Sequence, residues 1–229
     1  MAGPDRVALV TGSAQGIGAA IVAALRAEGL TVHGVDRDDC DVSDSAAVGE
    51  LVARIGRVDV LVNCAGGVVG QVGRPLEDVS DADWRAVVDA NLTSTFVCTR
   101  AVAPGMKAAG WGRIVNISSG AGRSVSLTGI QAYASAKAGQ LGFTRQTAHE
   151  LGPFGITVNA IAPGFVLSNP TSIAQWESYG AEGQRAVLDR IALRRLGEPE
   201  DIAGGVVFLV KANWLTGQVI SIDGGSALF

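Results

Sequence analysis

The chain has 229 residues, of which 48% are hydrophobic and 17% are charged, and its formal net charge is −4. This composition allows a large buried core and excludes a disordered chain, which needs few apolar residues and a high net charge. The acidic balance also argues against binding to a phosphate backbone, so we expect no nucleic-acid partner.

The cysteines and the N-terminus indicate where the protein works. Cys40, Cys64 and Cys98 are odd in number and widely spaced, which predicts neither a disulfide framework nor a zinc site. The first residues lack the long apolar stretch of a signal peptide, and no apolar run approaches the roughly 20 residues of a membrane span. We therefore expect a cytoplasmic protein with reduced thiols, no metal and no membrane partner.

Short apolar runs alternate with longer helical patterns along the chain. In chain order the predicted elements are strand Val7–Val10, helix Ala19–Glu28, strand Thr31–Val35, helix Ser45–Ile55, strand Val58–Val62, helix Trp84–Lys107, strand Arg113–Ile117, helix Tyr133–Leu151, strand Ile156–Ile161, helix Glu200–Val210 and strand Gln218–Ile222. This alternation predicts one α/β domain over residues 1–229, with a parallel sheet and helices on both faces. Residues 168–192, approximately, are predicted to form a helical lid over the substrate.

One connection is too short for a complete doubly wound sheet. Only four residues separate Asp36, at the end of the second predicted strand, from Asp41. A crossover to a parallel neighbour needs a dozen or more residues. We therefore expect one edge strand and one helix after Asp36 to be shortened or missing, with the chain running along the carboxyl edge of the sheet.

A glycine-rich turn follows the first predicted strand. Gly12, Gly16 and Gly18 have the spacing G-x-x-x-G-x-G and stand directly before a helix. Glycine lets the backbone turn tightly and approach a pyrophosphate, and a helix N-terminus adds free N–H groups and a positive dipole end. The sequence therefore predicts a dinucleotide site here. The intervening residues expected to contribute are Ser13, Gln15 and Ile17.

An acidic residue stands where a ribose is expected. Asp36 lies 18 residues after Gly18, at the end of the second strand, where a carboxylate can bind both ribose hydroxyls of an adenosine. It would repel a 2′-phosphate, so the sequence favours NAD over NADP. Arg37 is the residue that could offset this repulsion.

By its motifs the sequence resembles the short-chain dehydrogenase/reductase family along nearly its whole length. The turn at residues 11–18 matches the T-G-x-x-x-G-x-G of the family, and Tyr133 and Lys137 match its Y-x-x-x-K pair. The other matches are Asp41-Val42, Asn63-Cys64-Ala65-Gly66, Asn91, Asn116-Ile117-Ser118-Ser119, Asn159-Ala160-Ile161-Ala162-Pro163-Gly164 and Ile222-Asp223-Gly224-Gly225. Cys64 departs from the pattern, which has asparagine there. The resemblance implies a Rossmann-type doubly wound fold and a nicotinamide cofactor.

The resemblance implies that Ser119, Tyr133 and Lys137 carry out the chemistry, with Asn91 holding a water in a proton relay through Lys137. An ordinary tyrosine has a pKa near 10, too high for a useful base at neutral pH. Lys137 lies one helical turn from Tyr133 on the same face, so we expect its ammonium to lower the pKa of Tyr133 and to bind the nicotinamide ribose. Ser118 is the alternative to Ser119, but strand alternation separates the two and the motif favours Ser119.

The resemblance also implies cofactor contacts beyond the glycine turn and the catalytic pair. The positions that match are Asp41, Val42, Asn63, Ala65, Gly66, Pro163, Gly164, Val166 and Ser168. In the lid, Trp176 and Tyr179 either line an apolar pocket or pack the lid onto the body, and the sequence leaves both open.

We therefore expect an oxidoreductase that interconverts a secondary alcohol and a ketone with NAD, acting on a small-molecule substrate. A 3-oxoacyl-thioester reductase that uses NADPH is the alternative, and Asp36 argues against it. A non-catalytic NAD-binding regulator is an alternative of another class. Family members are usually dimers or tetramers, and we expect a homotetramer.

Overall fold

A six-stranded parallel sheet organises the described part of the chain, residues 6–126 and 128–226, in the computed structural model. Its strands are Val7–Thr11 (β1), Thr31–Val35 (β2), Val60–Asn63 (β3), Gly112–Ile117 (β4), Ile156–Pro163 (β5) and Val219–Ile222 (β6). Their order in the sheet is β2-β1-β3-β4-β5-β6. The order reverses at β1, and α/β proteins bind ligands at the carboxyl ends of strands beside such a point. Residues 1–5, on which the expectation of no signal peptide rests, lie outside the described residues.

Helices follow most strands and cover both faces of the sheet. They are Gly16–Ala27 (α1), Ser45–Ile55 (α2), Asp81–Val88 (α3), Ser94–Ala109 (α4), Gln131–Leu151 (α5), Pro170–Ser178 (α6), Gly180–Asp189 (α7) and Pro199–Lys211 (α8). α1 and α8 pack their apolar faces on one side, and α2, α4 and α5 pack on the other. The predicted fold class is confirmed. Within the described ranges, no helix combines the length and apolar character needed to cross a membrane.

The long helical stretch predicted over Trp84–Lys107 is present, but its first half departs from regular α-helical geometry. There, Asp89–Thr93 forms a π-helical turn between α3 and α4. The Asn91 amide donates to the Val87 carbonyl at 2.8 Å, and Thr95 Oγ1 donates to the Asn91 carbonyl at 2.8 Å. Polar side chains that bond to nearby carbonyls in this way compete with the α-helical ladder, and π-turns are frequent at functional sites.

The short connection after β2 leaves that strand at the edge of the sheet, as expected. Asp39 accepts the main-chain N–H of Asp36 at 2.9 Å, and Arg26 donates to the carbonyl of Val32 at 3.2 Å. Both contacts use main-chain groups that β1 does not bind. They occupy part of an edge that could otherwise pair with another strand.

A chain of buried polar side chains joins the sheet to its helices beneath the carboxyl edge. We call this set the amide network, and its members, each at most 3% exposed, are Asn63, Asn91, Asn116, Gln140 and Thr144. The Asn63 side chain donates to the Asn116 side chain at 2.8 Å, and the Asn116 side chain donates to the Thr144 hydroxyl at 2.9 Å. The Thr144 hydroxyl donates to the main-chain carbonyl of Gln140 at 2.8 Å. The Gln140 side-chain amide then donates to the main-chain carbonyl of Asn91 at 3.0 Å. The network therefore fixes β3, β4, α5 and the π-turn relative to one another.

Replacing Asn116 with alanine should destabilise the fold strongly. Asn116→Ala removes the acceptor of Asn63 and the donor to Thr144, and each buried group left unpaired costs about 1–3 kcal/mol. We expect the free energy of unfolding to fall by about 2–4 kcal/mol, measured by urea denaturation. Gln146→Ala, at an exposed position of α5, is the control and should stay within about 0.5 kcal/mol of the wild type. Equal stability of the two variants would contradict the structural role of the network.

Candidate active site

Each glycine of the glycine-rich turn is required by a contact within the chain. Gly12 and Gly16 have φ of 68° and 52°, in the left-handed region that favours glycine. A Cβ on Gly12 would lie 2.8 Å from the Cα of Ala65, one on Gly16 would clash with the Ser168 carbonyl oxygen, and one on Gly18 would clash with the Gly12 carbonyl oxygen. The turn thus packs tightly between the loop after β3 and the start of the segment predicted to form the lid.

The first turn of α1 offers unoccupied main-chain donors. Its N-cap residue, Gln15, makes no side-chain hydrogen bond to the helix. The N–H groups of the first turn therefore keep their capacity to bind an anion, helped by the helix dipole. Ser13 is tied by its N–H to the Val35 carbonyl, and Ile17 packs against the core. These residues fit the pyrophosphate of a dinucleotide cofactor.

The carboxylate of Asp36 is held beside this turn at the end of β2. It accepts the N–H of Ala14 at 2.9 Å and the N–H of Arg37 at 2.8 Å. Hydrogen bonds from Ser43 hold the pKa of Asp41 below its usual range, with a smaller contribution from the nearby Arg37 guanidinium. Arg37 therefore lies within electrostatic reach of Asp41.

The loop after β3 packs its main chain against the glycine turn. The N–H groups of Cys64 and Ala65 both donate to Thr11 Oγ1, at 3.1 and 3.0 Å. Gly66 has a φ of 145° and lies against Asn91. The Asn63 amide is turned into the amide network, so its nitrogen serves the protein interior. Val42, half-buried, packs against the core.

Ser118 and Ser119 separate into different roles at the end of β4. Ser118 is buried and donates to the Lys137 carbonyl at 2.9 Å, which ties the strand to α5. Ser119 accepts the N–H of Ala121 at 3.2 Å, and its hydroxyl also hydrogen-bonds to Tyr133. The structure thus brings Ser119, and not Ser118, to the tyrosine.

Tyr133 and Lys137 lie together in the first turns of α5. The Lys137 ammonium is 5.6 Å from the centre of the Tyr133 ring and donates to the Ile117 carbonyl at 2.8 Å. Burial raises the pKa of Tyr133, and the hydrogen bond from Ser119 opposes that rise. Burial also lowers the pKa of Lys137 to about 8. Burial therefore sets the direction of the Tyr133 pKa, opposite to the lowering expected from Lys137.

Cys64 places a thiol in the same electrostatic environment. Burial raises its pKa to about 12, and the nearby Lys137 ammonium opposes that rise. The thiol therefore stays protonated and neutral at physiological pH. Asparagine at this position would bring an amide, so the substitution removes hydrogen-bonding capacity behind the nucleotide loop and adds no charge.

Asn91 fixes the loop after β3. Its side chain accepts the Gly67 N–H at 3.1 Å and donates to the Gly67 carbonyl at 2.8 Å. Its main-chain carbonyl accepts hydrogen bonds from Gln140 and Thr95. The proposed relay through Lys137 stays a prediction, and these contacts assign Asn91 a positioning role in the loop.

The segment after β5 leads from the sheet into α6, where the predicted lid begins. Gly164 donates its N–H to the Ile222 carbonyl at 2.9 Å, and a Cβ there would lie 2.7 Å from Asp223. Pro163 and Val166 are buried. Ser168 contacts the glycine turn through its carbonyl and donates its N–H to Ser172 at 3.0 Å. Of the predicted cofactor contacts of this segment, Ser168 therefore borders the glycine turn.

An aromatic cluster holds α6 and α7, the helices of the predicted lid, on the rest of the domain. Phe165, Trp176 and Tyr179 meet edge to face, with ring centres 5.9 to 6.4 Å apart. Tyr179 also accepts a hydrogen bond from Gln175 at 2.6 Å. Of the two roles left open by the sequence, the contacts support packing of the lid onto the body through Phe165.

Three buried or half-buried glutamines near the site are not marked by any motif. Gln71 bonds to residues 58 and 60 positions away, a separation that no local pattern reveals. Gln131 lies two residues before Tyr133 and gives no signal of its own. Gln140 follows Lys137 by three residues in an otherwise buried helix face, and a fully buried polar side chain there is the only available signal.

Comparison with known proteins agrees with this geometry. The family model described as enoyl-(acyl carrier protein) reductase matches residues 38–227. The short-chain reductase protein NovJ of Streptomyces niveus is 40% identical over 96% of this chain and 94% of its own length. The chain belongs to the short-chain dehydrogenase/reductase family.

Other members of the short-chain dehydrogenase/reductase family are similarly close. A 3-oxoacyl-[acyl-carrier-protein] reductase of Synechocystis is 38% identical over 98% of both chains. The crystal structure of a short-chain dehydrogenase/reductase from Burkholderia thailandensis superposes with a TM-score of 0.89 at 32% identity, covering 98% of this chain and 93% of that one. The protein is thus a nicotinamide-dependent oxidoreductase of the alcohol–ketone pair.

Because the glycine turn is tightly packed, adding a single Cβ tests its role in cofactor binding. Gly18→Ala forces the Gly12 carbonyl to move, so we expect the free energy of unfolding to fall by about 1–3 kcal/mol and NADH to bind at least about tenfold more weakly. Gly49→Ala is the matched control, because a Cβ there meets nothing within 4 Å and lies in α2. That variant should gain about 0.5–1 kcal/mol and bind NADH normally. Tight binding by Gly18→Ala, measured by fluorescence titration, would contradict the assignment of this turn.

Proposed function

We propose that the protein reduces a small ketone to a secondary alcohol with NADH, and oxidises the alcohol in reverse, with Tyr133 as the general acid and base. The observation that carries the proposal is the meeting of Ser119, Tyr133 and Lys137 at the carboxyl edge of the sheet. This group lies across the loop after β3 from the glycine turn. A ketone, NADH and one proton give the alcohol and NAD.

The side chains divide the work of the reduction. The nicotinamide, when bound, supplies hydride to the carbonyl carbon. Ser119 donates a hydrogen bond to the carbonyl oxygen, and Tyr133 gives that oxygen its proton. The raised pKa of Tyr133 keeps the phenol protonated at neutral pH, the form that reduction needs. Lys137, with a pKa of about 8, is still mainly charged at pH 7 and stabilises negative charge on the oxygen.

The proposed preference for NAD is supported by the charges around Asp36. Five carboxylates stand in nine residues, against the single guanidinium of Arg37, and they belong to Asp36, Asp38, Asp39, Asp41 and Asp44. A 2′-phosphate carries further negative charge, so this surface disfavours it. Hydrogen bonds from two main-chain N–H groups hold the Asp36 carboxylate in place for the ribose hydroxyls.

A 3-oxoacyl-thioester reductase that uses NADPH is the second candidate. The identity to the Synechocystis 3-oxoacyl-[acyl-carrier-protein] reductase favours it. The charges at Asp36 oppose the NADPH part of that candidate but leave the thioester part open. The two candidates share the catalytic group and differ in cofactor and in the length of the substrate.

The homotetramer expected from the family stays a proposal. Phe96 on α4 is 41% exposed and Phe208 on α8 is 57% exposed. These two helices pack on opposite faces of the sheet. Two separate subunit interfaces, as in a tetramer, would cover both side chains.

Tyr133→Phe separates an enzyme from a nucleotide-binding regulator. It should lower kcat about a thousandfold and leave the Kd for NADH unchanged, because only the proton donor is lost.

In the wild type, alcohol oxidation should increase with rising pH, since the raised pKa of Tyr133 makes the phenolate base scarce at neutral pH. Reduction, which needs the phenol, should not increase.

The control for Tyr133→Phe is Tyr179→Phe, which loses the hydrogen bond from Gln175 and should retain most activity. Full turnover by Tyr133→Phe would disprove the proposed mechanism.

Asp36→Asn tests the choice of cofactor. Removing the negative charge should tighten NADPH binding about tenfold and weaken NADH binding, as measured by titrating each cofactor against tryptophan fluorescence. Asp38→Asn, an exposed carboxylate two residues away, is the matched control and should have a smaller effect. If the wild type itself prefers NADPH, Arg37 dominates the site and the acyl-thioester candidate takes precedence.

A further inference from the structure

The helix that carries Tyr133 begins without a cap of its own. α5 starts at Gln131, two residues before Tyr133, and its N-cap residue Ile130 makes no side-chain hydrogen bond to the helix. Its first turn also contains no acidic residue. The usual local means of fixing a helix start are therefore missing where the catalytic side chain needs accurate placement.

A buried glutamine from another part of the chain holds this helix start. Gln71, in the loop between β3 and α3, has no exposed surface. Its amide nitrogen donates to the Gly129 carbonyl at 3.0 Å and to Gln131 Oε1 at 2.7 Å. Gln131 passes the contact on, because its own amide nitrogen donates to the Arg74 carbonyl at 2.9 Å. Two linked side-chain amides thus join the loop to the first residue of α5.

The main chains of the two segments also meet at this point. Gly73 donates its N–H to the Thr128 carbonyl at 2.9 Å. Gly129 has a φ of 59°, and a Cβ there would lie 3.0 Å from the Cα of Gly73. The amides of Gln71 and Gln131 therefore act on a backbone contact that has little freedom to adjust.

The other end of the same loop is fixed by Asn91. Through Gly67 the loop is bonded to the π-turn, and through Gln71 it is bonded to the start of α5. Gln71 Oε1 is buried and has no hydrogen-bond partner among the described residues. An apolar side chain would avoid that unpaired oxygen, so the two donor contacts are the feature that distinguishes glutamine at this position.

We propose that Gln71 is a positioning residue, which acts through Gln131 and Gly129 to hold Tyr133 against Ser119. It touches neither reacting atom. The inference rests on the proposed role of Tyr133 as general acid and base. A small displacement of the helix start moves the phenol away from the carbonyl oxygen, and misplacement of about 1 Å is enough to slow an enzyme strongly.

The test compares Gln71→Met, Gln131→Met and the double variant, since methionine keeps the volume and removes the amide. Reduction of ethyl acetoacetate with NADH should show kcat lowered about tenfold or more, with the Kd for NADH unchanged. Gln71→Met should lose at least as large a factor as Gln131→Met, because it also gives up the Gly129 contact, and the double variant should lose less than the product of the two factors. Oxidation of ethyl 3-hydroxybutyrate with NAD should need higher pH, since a displaced Tyr133 loses the Ser119 hydrogen bond that lowers its pKa.

Thr147→Val is the matched control for a general loss of stability in α5. The Thr147 hydroxyl donates to main-chain carbonyls of the same helix, about four turns beyond Tyr133. This variant should lower Tm and leave kcat and the pH profile unchanged. If Gln71→Met behaves like Thr147→Val, or if the two methionine substitutions are additive, the inference is wrong. If Gln71→Met does not fold, the half-buried Gln131→Met carries the same comparison.

Tyr133→Phe, measured in parallel, distinguishes a failure of the positioning role of Gln71 from a failure of the proposed function. An inactive Tyr133→Phe with a normal Gln71→Met overturns the positioning role alone. An active Tyr133→Phe overturns the proposed function and the positioning role together.

Discussion

The active site depends on a set of buried polar side chains that are bonded to one another or to nearby main-chain carbonyls. Asn63 and Asn116 bridge two adjacent strands, and Gln140 carries the connection to the π-turn at Asn91. Inside a protein such bonds are strong and their geometry is specific, while a missing partner is costly. The network therefore allows little relative movement of the sheet, α5 and the loop after β3. These are the elements that meet around Tyr133.

Desolvation sets the electrostatics of the site. It raises the pKa of Tyr133 and of Cys64 and lowers that of Lys137, so each group moves toward its neutral form. The balance is unlike that of an exposed ion pair, in which the cation would dominate the tyrosine. A neutral phenol beside a lysine close to its own titration point is a suitable proton donor. The same burial makes Cys64 unreactive, because the thiolate is the nucleophilic form.

The sheet, its helices and the glycine turn could be predicted because they depend on local periodicity and on short spacings. The shortened connection after Asp36 followed from chain length alone. The π-turn could not be predicted, since it depends on which main-chain carbonyls accept hydrogen bonds from the side chains of Asn91 and Thr95. The positions of Gln71 and Gln131 could not be predicted either, because their partners are far away in the sequence. The direction of the Tyr133 pKa was missed because spacing identifies the lysine but does not measure burial.

The trimmed edge beside β2 has a consequence for how this fold can change its size. If a crossover helix and a further edge strand followed β2, the chain would leave the carboxyl edge of the sheet at the end of β2 and return to the same edge at the end of the added strand. The pair can therefore be gained or lost as one module, while the registers of β1 and β3 to β6 stay as they are. Only the terminal ladder is affected, and Arg26 and Asp39 already bond to groups on that side. The number of strands at the β2 edge can therefore change in evolution without altering the residues around Tyr133.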